Sequence, residues 1–177
     1  MRLFFAALPS PDICRRLESV AQALRLPSQA RLVPVENYHM TLAFAGAVSS
    51  AQAAALRALG AVLRSPAFEV CFDAYQYWPR SQVLVLAASC HPSSLHDLRQ
   101  LLRAEFVRVG IAADSTFFRA HVTLARKVTQ ATVPKAVSPF CWRVQTLHLV
   151  QSSGSAAGSV YTVVDTWPLL DAAPRGE

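Results

Sequence analysis

Two short segments of the chain carry nearly the same residues in the same order. His39-Met40-Thr41-Leu42-Ala43 and His121-Val122-Thr123-Leu124-Ala125 agree at four of five positions. Both lie in apolar, β-prone surroundings, and along a strand residues i and i+2 project from the same face. His39 therefore shares a face with Thr41, and His121 with Thr123, while Met40, Leu42, Val122 and Leu124 fill the opposite faces. If the two strands lie near one another, two imidazoles and two hydroxyls converge on one cleft. Nothing else in the chain gathers titratable side chains in this way.

Such a group suits in-line displacement at phosphorus. One histidine takes a proton from the attacking water and the other protonates the oxygen leaving on the opposite side. Imidazole titrates near 6.5, so a neutral and a protonated ring are expected to coexist near neutrality. The threonine hydroxyls would donate to the non-bridging oxygens, where negative charge builds. One His-x-Thr on a strand is ordinarily a packed, partly buried histidine; it is the repetition that points to chemistry. No Asp, Glu or Cys stands beside either motif on its inward face, so no metal and no cofactor is expected. The absence of a Gly-x-Ser-x-Gly elbow argues against a nucleophilic serine.

The elements that must position these residues can be read from periodicity. Leu3–Leu8 is a short apolar strand closed by Pro9. Ile13, Leu17, Val20 and Leu24 recur at helical spacing over Asp12–Leu26, ended by Pro27. Tyr38–Ala45 reads as a strand terminated by Gly46, and Ser49-Ser50 caps an Ala-rich helix over Ala51–Arg64. Alternation marks Phe68–Asp73 as a half-buried strand, and Val83–Ala88 follows the Pro79-Arg80 turn. Pro92 and Ser93 open a helix to about Val109, with Leu95, Leu98, Leu101, Leu102 and Phe106 on one face and Gly110 stopping it. Strands are expected over Phe117–Lys127, Phe140–Val150 and Val160–Trp167, the last two joined by a Ser/Gly-rich loop, Ser152–Ser159. The elements do not follow strict βαβ spacing, so the class is α+β with antiparallel sheets, as one domain over 1–177.

Composition bounds the rest. The chain has 177 residues, 53% hydrophobic and only 16% charged, which is globular rather than disordered. An excess of 17 Lys+Arg over 11 Asp+Glu gives +6, nearly all of it arginine. Guanidinium forks match phosphate, though Arg and Ala enrichment also follows from GC-rich coding. No stretch reaches the roughly 20 apolar residues of a membrane span, and the N-terminal apolar run is too short for a signal peptide. The four scattered cysteines, Cys14, Cys71, Cys90 and Cys141, read as buried thiols of a cytoplasmic protein.

The paired His-x-Thr strands resemble the two-histidine (2H) phosphoesterase superfamily, and within it the RNA 2′,3′-cyclic phosphodiesterases historically called 2′-5′ RNA ligases. The resemblance covers nearly the whole chain. It includes Arg2-Leu3-Phe4-Phe5-Ala6, the block Val35–Leu42 with Phe44 and Gly46, the block Phe118–Arg126, and Leu149, Ser152, Gly158, Tyr161 and Leu169 towards the end. It implies a bilobal fold, two antiparallel sheets with flanking helices related by a pseudo-twofold around one central cleft. It also implies hydrolysis of a 2′,3′-cyclic phosphate to a 2′-phosphate, with His39 the proton donor and His121 the acceptor. One departure is visible: the family usually has proline before the second motif histidine, where this chain has Ala120.

The resemblance also suggests Arg126 as a phosphate ligand. Strict alternation puts Arg126 out of phase with His121 and Thr123, so a bulge or strand end is needed to bring it in. Arg119 is in phase and is the alternative. Phe44, Tyr38 and Phe118 are candidates to stack a nucleobase, with core packing the competing role. His91, His96 and His148 are assigned no catalytic part. The expected partner is RNA or a nucleotide ending in a 2′,3′-cyclic phosphate, with no membrane and no obligate protein partner. Two rival readings are a 2′-5′ RNA ligase using the same groups in reverse and a binding module without turnover.

Overall fold

The protein is described from a computed structural model covering residues 1–112, 118–129, 137–155 and 158–171. The opening apolar run forms β1 (Arg2–Ala7), buried from Leu3 onward. Ser10 caps α1 (Pro11–Gln22), its hydroxyl accepting the Ile13 N–H at 3.4 Å, and Pro11 sits in the first turn, where its missing N–H costs nothing. A short β2 (Arg31–Leu32) and a 3-10 turn (Val35–Asn37) lead to β3 (Met40–Ala47). α2 (Ser50–Val62) starts from a full capping box between Ser49 and Gln52. Then come β4 (Phe68–Phe72), β5 (Ala74–Trp78), β6 (Val83–Ala87) and α3 (Ser93–Arg108). The last elements are β7 (His121–Arg126), β8 (Phe140–Val144), β9 (Thr146–Ser155) and β10 (Gly158–Pro168). Phe117, the first residue of the strand expected around His121, lies outside the described residues.

The α+β class holds. One sheet has the order β10-β9-β1-β3 and a second β2-β7-β6-β5, with every strand pairing antiparallel. A further two-stranded sheet, β4-β8, is additional to the two expected. It arises because the run Phe140–Val150 is broken at Gln145: β8 pairs with β4, while β9 turns to pair with β1 and β10. The first sheet holds the first motif and the second sheet the second. Behind both, Met40, Leu42, Val122 and Leu124 are buried in one shared core with Leu3, Phe5, Leu17, Leu98, Phe106 and Leu149. That common core fixes the two motif strands relative to each other.

Several expectations change. The Ser152–Ser159 loop is mostly paired backbone, since β9 and β10 continue their register out to Ser155 opposite Gly158; ladder pairing overrides the weak strand preference of Ser and Gly. Gly46 does not end β3 but lies inside it at φ +72, opposite Leu3. β5 is an addition to the expected strands, because Tyr75, Gln76, Tyr77 and Trp78 are all partly buried and show no alternation. Leu101 is exposed rather than on the buried face of α3. The reading of the cysteines as buried thiols is corrected. Cys71 and Cys141 face each other across β4-β8 on its exposed side and form a disulfide. Of the free pair, Cys14 is partly buried and Cys90 exposed. No helix among the described residues is long and apolar enough to cross a membrane.

Candidate active site

The Leu-Ala tail shared by the two motifs is a β-bulge in both. In β7, Leu84 of β6 stands opposite Ala125 and Val85 opposite Thr123, so Leu124 is the extra residue. Leu124 and Ala125 are then both buried in succession, and the alternation shifts by one. The shift turns Arg126 onto the face of His121 and Thr123, which strict alternation had denied it. β3 repeats the device: Phe5 pairs with Ala43 and Ala6 with Thr41, Leu42 is extra, and Leu42 and Ala43 are buried in succession. Phe44 is thereby swung onto the face of Thr41. Each strand presents histidine, threonine two residues later, and a third side chain five residues after the histidine.

The two rings are held alike. His39 Nδ1 lies 2.8 Å from the Asn37 carbonyl and His121 Nδ1 2.7 Å from the Arg119 carbonyl, both two residues upstream. A carbonyl only accepts, so Nδ1 carries the hydrogen in both and Nε2 is left for chemistry in the cleft. Aromatic rings pack against each: Phe4 at 5.1 Å and Tyr161 at 4.8 Å from His39, and Trp78 at 4.5 Å from His121. This packing has an electrostatic consequence. Burial pushes both imidazoles below the ordinary histidine range, against the raising effect of the carbonyl bond, and the Arg126 guanidinium pushes both down further. The His121 ring adds a smaller downward effect on His39. Both shifts favour the neutral form of the rings. A neutral ring with hydrogen on Nδ1 is ready to act as a base at Nε2. To act as an acid, the same ring must first gain a proton, and an anion placed between the two favours that gain.

His39, Thr41, Phe44, His121, Thr123 and Arg126 all line one chamber of about 260 Å³. Arg126 also reaches the Tyr161 hydroxyl at 3.5 Å. Arg119 holds His121 through its carbonyl, while its side chain lines an adjoining cavity. Tyr38 is buried in the core, and Phe118 packs against that core beneath Arg99. The remaining histidines have local partners: His91 accepts from the Ala120 N–H, His96 pairs with Gln100, and His148 sits between the Thr146 and Thr166 hydroxyls. Sequence reasoning missed Trp78, Phe4, Tyr161, Ser81 and Ser152 as lining residues. Trp78 ends the additional strand β5, and an aromatic run before the Pro79-Arg80 turn is its one signal. The lining contains no carboxylate or thiol among the described residues. Among the described residues, a cluster of three acidic or thiol groups elsewhere, Glu69 with Cys71 and Cys141, has both sulfurs joined in the disulfide.

Fold and chamber together define a two-lobed phosphoesterase architecture with one His-x-Thr strand in each lobe. Comparison with known proteins agrees. Residues 9–156 match the profile of the 2′-5′ RNA ligase superfamily. The chain is 33% identical over 170 residues to the RNA 2′,3′-cyclic phosphodiesterase of Escherichia coli K12, covering 95% of this chain and 96% of that one. The crystal structure of E. coli LigT complexed with 3′-AMP superposes with a TM-score of 0.87 at 31% identity, over 95% of this chain and 97% of the other. TT0787 of Thermus thermophilus superposes with a TM-score of 0.80 at 26% identity, over 96% and 98%. This chain belongs to the 2′-5′ RNA ligase superfamily.

Proposed function

We propose that the chain hydrolyses the 2′,3′-cyclic phosphate of an RNA end or nucleotide to a 2′-phosphomonoester, by acid–base catalysis that needs no metal. The observation that carries this is the matched pair of imidazoles, each with Nδ1 tied to a carbonyl and Nε2 left for one shared chamber. Neutral His121 accepts a proton at Nε2 from water as the water oxygen bonds to phosphorus. The P–O3′ bond breaks, and His39, protonated once the anionic substrate is bound, gives its Nε2 proton to the departing 3′-oxygen. The products are a 2′-phosphate and a 3′-hydroxyl, and solvent exchange returns both rings to their starting states. Thr41, Thr123 and Arg126 stabilise the charge on the non-bridging oxygens, where fixed donors count most. Phe44 offers a ring at the chamber edge for the nucleoside. The related protein that holds 3′-AMP supports a nucleotide-like substrate. The assignment of donor and acceptor rests on the family resemblance, since the local geometry of the two rings is alike.

The test is incubation with a nucleoside 2′,3′-cyclic phosphate in the presence of EDTA, with the phosphate isomer identified. A 2′-phosphate is expected, and His39→Ala and His121→Ala should each lower kcat by roughly 10²–10⁴-fold. Full activity in either variant, or loss of activity with EDTA, overturns the reading. Joining of two RNA ends by the same preparation would move it towards ligation.

A further inference from the structure

Arg126 lines the chamber from the end of β7, after the bulge at Leu124, and the chain turns away at once through Lys127 at φ +57. A long side chain at a strand end has many rotamers open to it, so something must aim the guanidinium. No carboxylate does so, since Arg126 makes no ion pair among the described residues. Its polar partner is the Tyr161 hydroxyl, which accepts from Nη2 at 3.5 Å. The choice of partner matters. A carboxylate would fix the guanidinium and cancel its charge, whereas a phenol oxygen fixes it and leaves the charge for an anion. That charge acts on both His39 and His121, so the guanidinium stands within reach of the space between them.

Tyr161 is itself held from several sides. Its ring lies edge-on to His39 at 4.8 Å and to Phe4 at 5.5 Å, an arrangement aromatic rings favour. Across the ladder it stands opposite Ser152, another residue of the chamber. Two residues upstream on β10, the Ser159 carbonyl accepts from the Asn37 side-chain amide at 3.2 Å. Asn37 is also the residue whose own carbonyl holds His39 Nδ1. The start of β10 therefore grips the first motif twice, through the Asn37 amide and through the Tyr161 ring. From that fixed post the hydroxyl crosses to Arg126 in the second sheet. We propose that Tyr161 is a positioning residue: its hydroxyl, carried on a ring wedged against His39, aims Arg126 at the non-bridging phosphate oxygens. The proposal rests on the cyclic phosphodiesterase reading and deepens it, adding a residue that acts through Arg126 rather than on the reacting atoms.

The experiment is a double-mutant cycle of Tyr161→Phe and Arg126→Met, with kcat and KM measured on a nucleoside 2′,3′-cyclic phosphate. Phenylalanine keeps the ring and its packing on His39 and Phe4, and removes only the oxygen. In the wild-type background Tyr161→Phe should lower kcat/KM by roughly three- to tenfold, the effect of one hydrogen bond. Most of the loss should fall on kcat, because the charge on the non-bridging oxygens grows towards the transition state. In the Arg126→Met background the same substitution should change kcat/KM by less than about twofold, since its target is gone. A Tyr161→Phe enzyme as active as the wild type overturns the proposal. So does a loss of equal size in both backgrounds, which marks a structural effect that does not pass through Arg126. A wild type that hydrolyses no cyclic phosphate overturns the cyclic phosphodiesterase reading and the proposal together, whereas turnover indifferent to Tyr161→Phe overturns the proposal alone.

Discussion

Ala120, the residue before His121, stands where the resemblance leads one to expect proline, and the structure shows what the replacement does. Its N–H donates to His91 Nε2 at 3.0 Å and its carbonyl accepts from the Ala88 N–H at 3.0 Å. Because Nε2 accepts, His91 is neutral with its hydrogen on Nδ1. Replacing His91 with alanine leaves the buried Ala120 N–H without a partner, a loss of about 1–3 kcal/mol. In a chain of this size each kcal/mol moves the melting temperature by about 2–4 °C, so His91→Ala should melt about 2–12 °C lower. Ala120→Pro removes the donor itself. Alone it strands His91 Nε2 and brings the proline ring against it, but in the double variant it deletes the orphan and should recover most of the loss. The four proteins form a double-mutant cycle, followed by circular dichroism melts at mildly alkaline pH, with an expected coupling of at least about 1 kcal/mol. The cycle also depends on pH. Burial first, then the Arg119 and Arg99 charges, lower the His91 pKa from 6.5, so the folded state favours the neutral ring. Its stabilisation is complete above that unfolded value and fades as pH falls through the folded one, and the gap between wild type and His91→Ala should narrow in acid. Additive effects around the cycle, or a His91→Ala protein that melts like the wild type, would refute the reasoning.

Three more outcomes follow from features described above. Arg126 lowers both catalytic-candidate histidines, so Arg126→Met should move the acidic limb of the kcat/KM profile to higher pH, readable in a pH series with a cyclic nucleotide. The Cys71–Cys141 disulfide spans 70 residues of chain, and opening it should cost roughly 4 kcal/mol. A melt with and without reductant reads this, and thiol titration of the denatured protein should give two free thiols before reduction and four after. A Cβ on Gly60 of α2 would lie 2.5 Å from the Trp167 ring, so Gly60→Ala should lower the melting temperature by a net loss of about 1 kcal/mol or more, despite alanine's better helix propensity.

Much of the frame is readable in the residues alone because it rests on local signals. Ser10 and Ser49 announce their helices, Leu95, Leu98, Leu102 and Phe106 recur on one face, and the duplicated His-x-Thr names the residues that meet. What escapes depends on partners distant in sequence. Nothing near Cys71 says that β4 will pair with β8, yet that pairing alone brings Cys141 opposite. Trp78 stays hidden because β5 has no alternation to reveal it. Arg126 reads as out of phase because a bulge is a property of two strands in register, and β7 read alone shows only apolar Leu124 and Ala125 in sequence. The pKa of the two histidines escapes for a related reason: the rings that desolvate them come from β1, β5 and β10.

The repeated bulge has a consequence for direction. Up to the bulge, the two motif strands present equivalent groups, so a phosphate turned end for end would meet the same histidine, threonine and carbonyl-locked ring from either side. A site of that kind is degenerate: it has no inherent way to choose which of two ester oxygens departs. The bulges deliver the third side chain of each strand to the chamber, and there the halves part company, with a phenyl ring on one and a guanidinium on the other. Phe44 and Arg126 are thus a polarity mark on an otherwise symmetric device. On the proposed chemistry, that one mismatched pair helps a near-mirror site release a single product isomer.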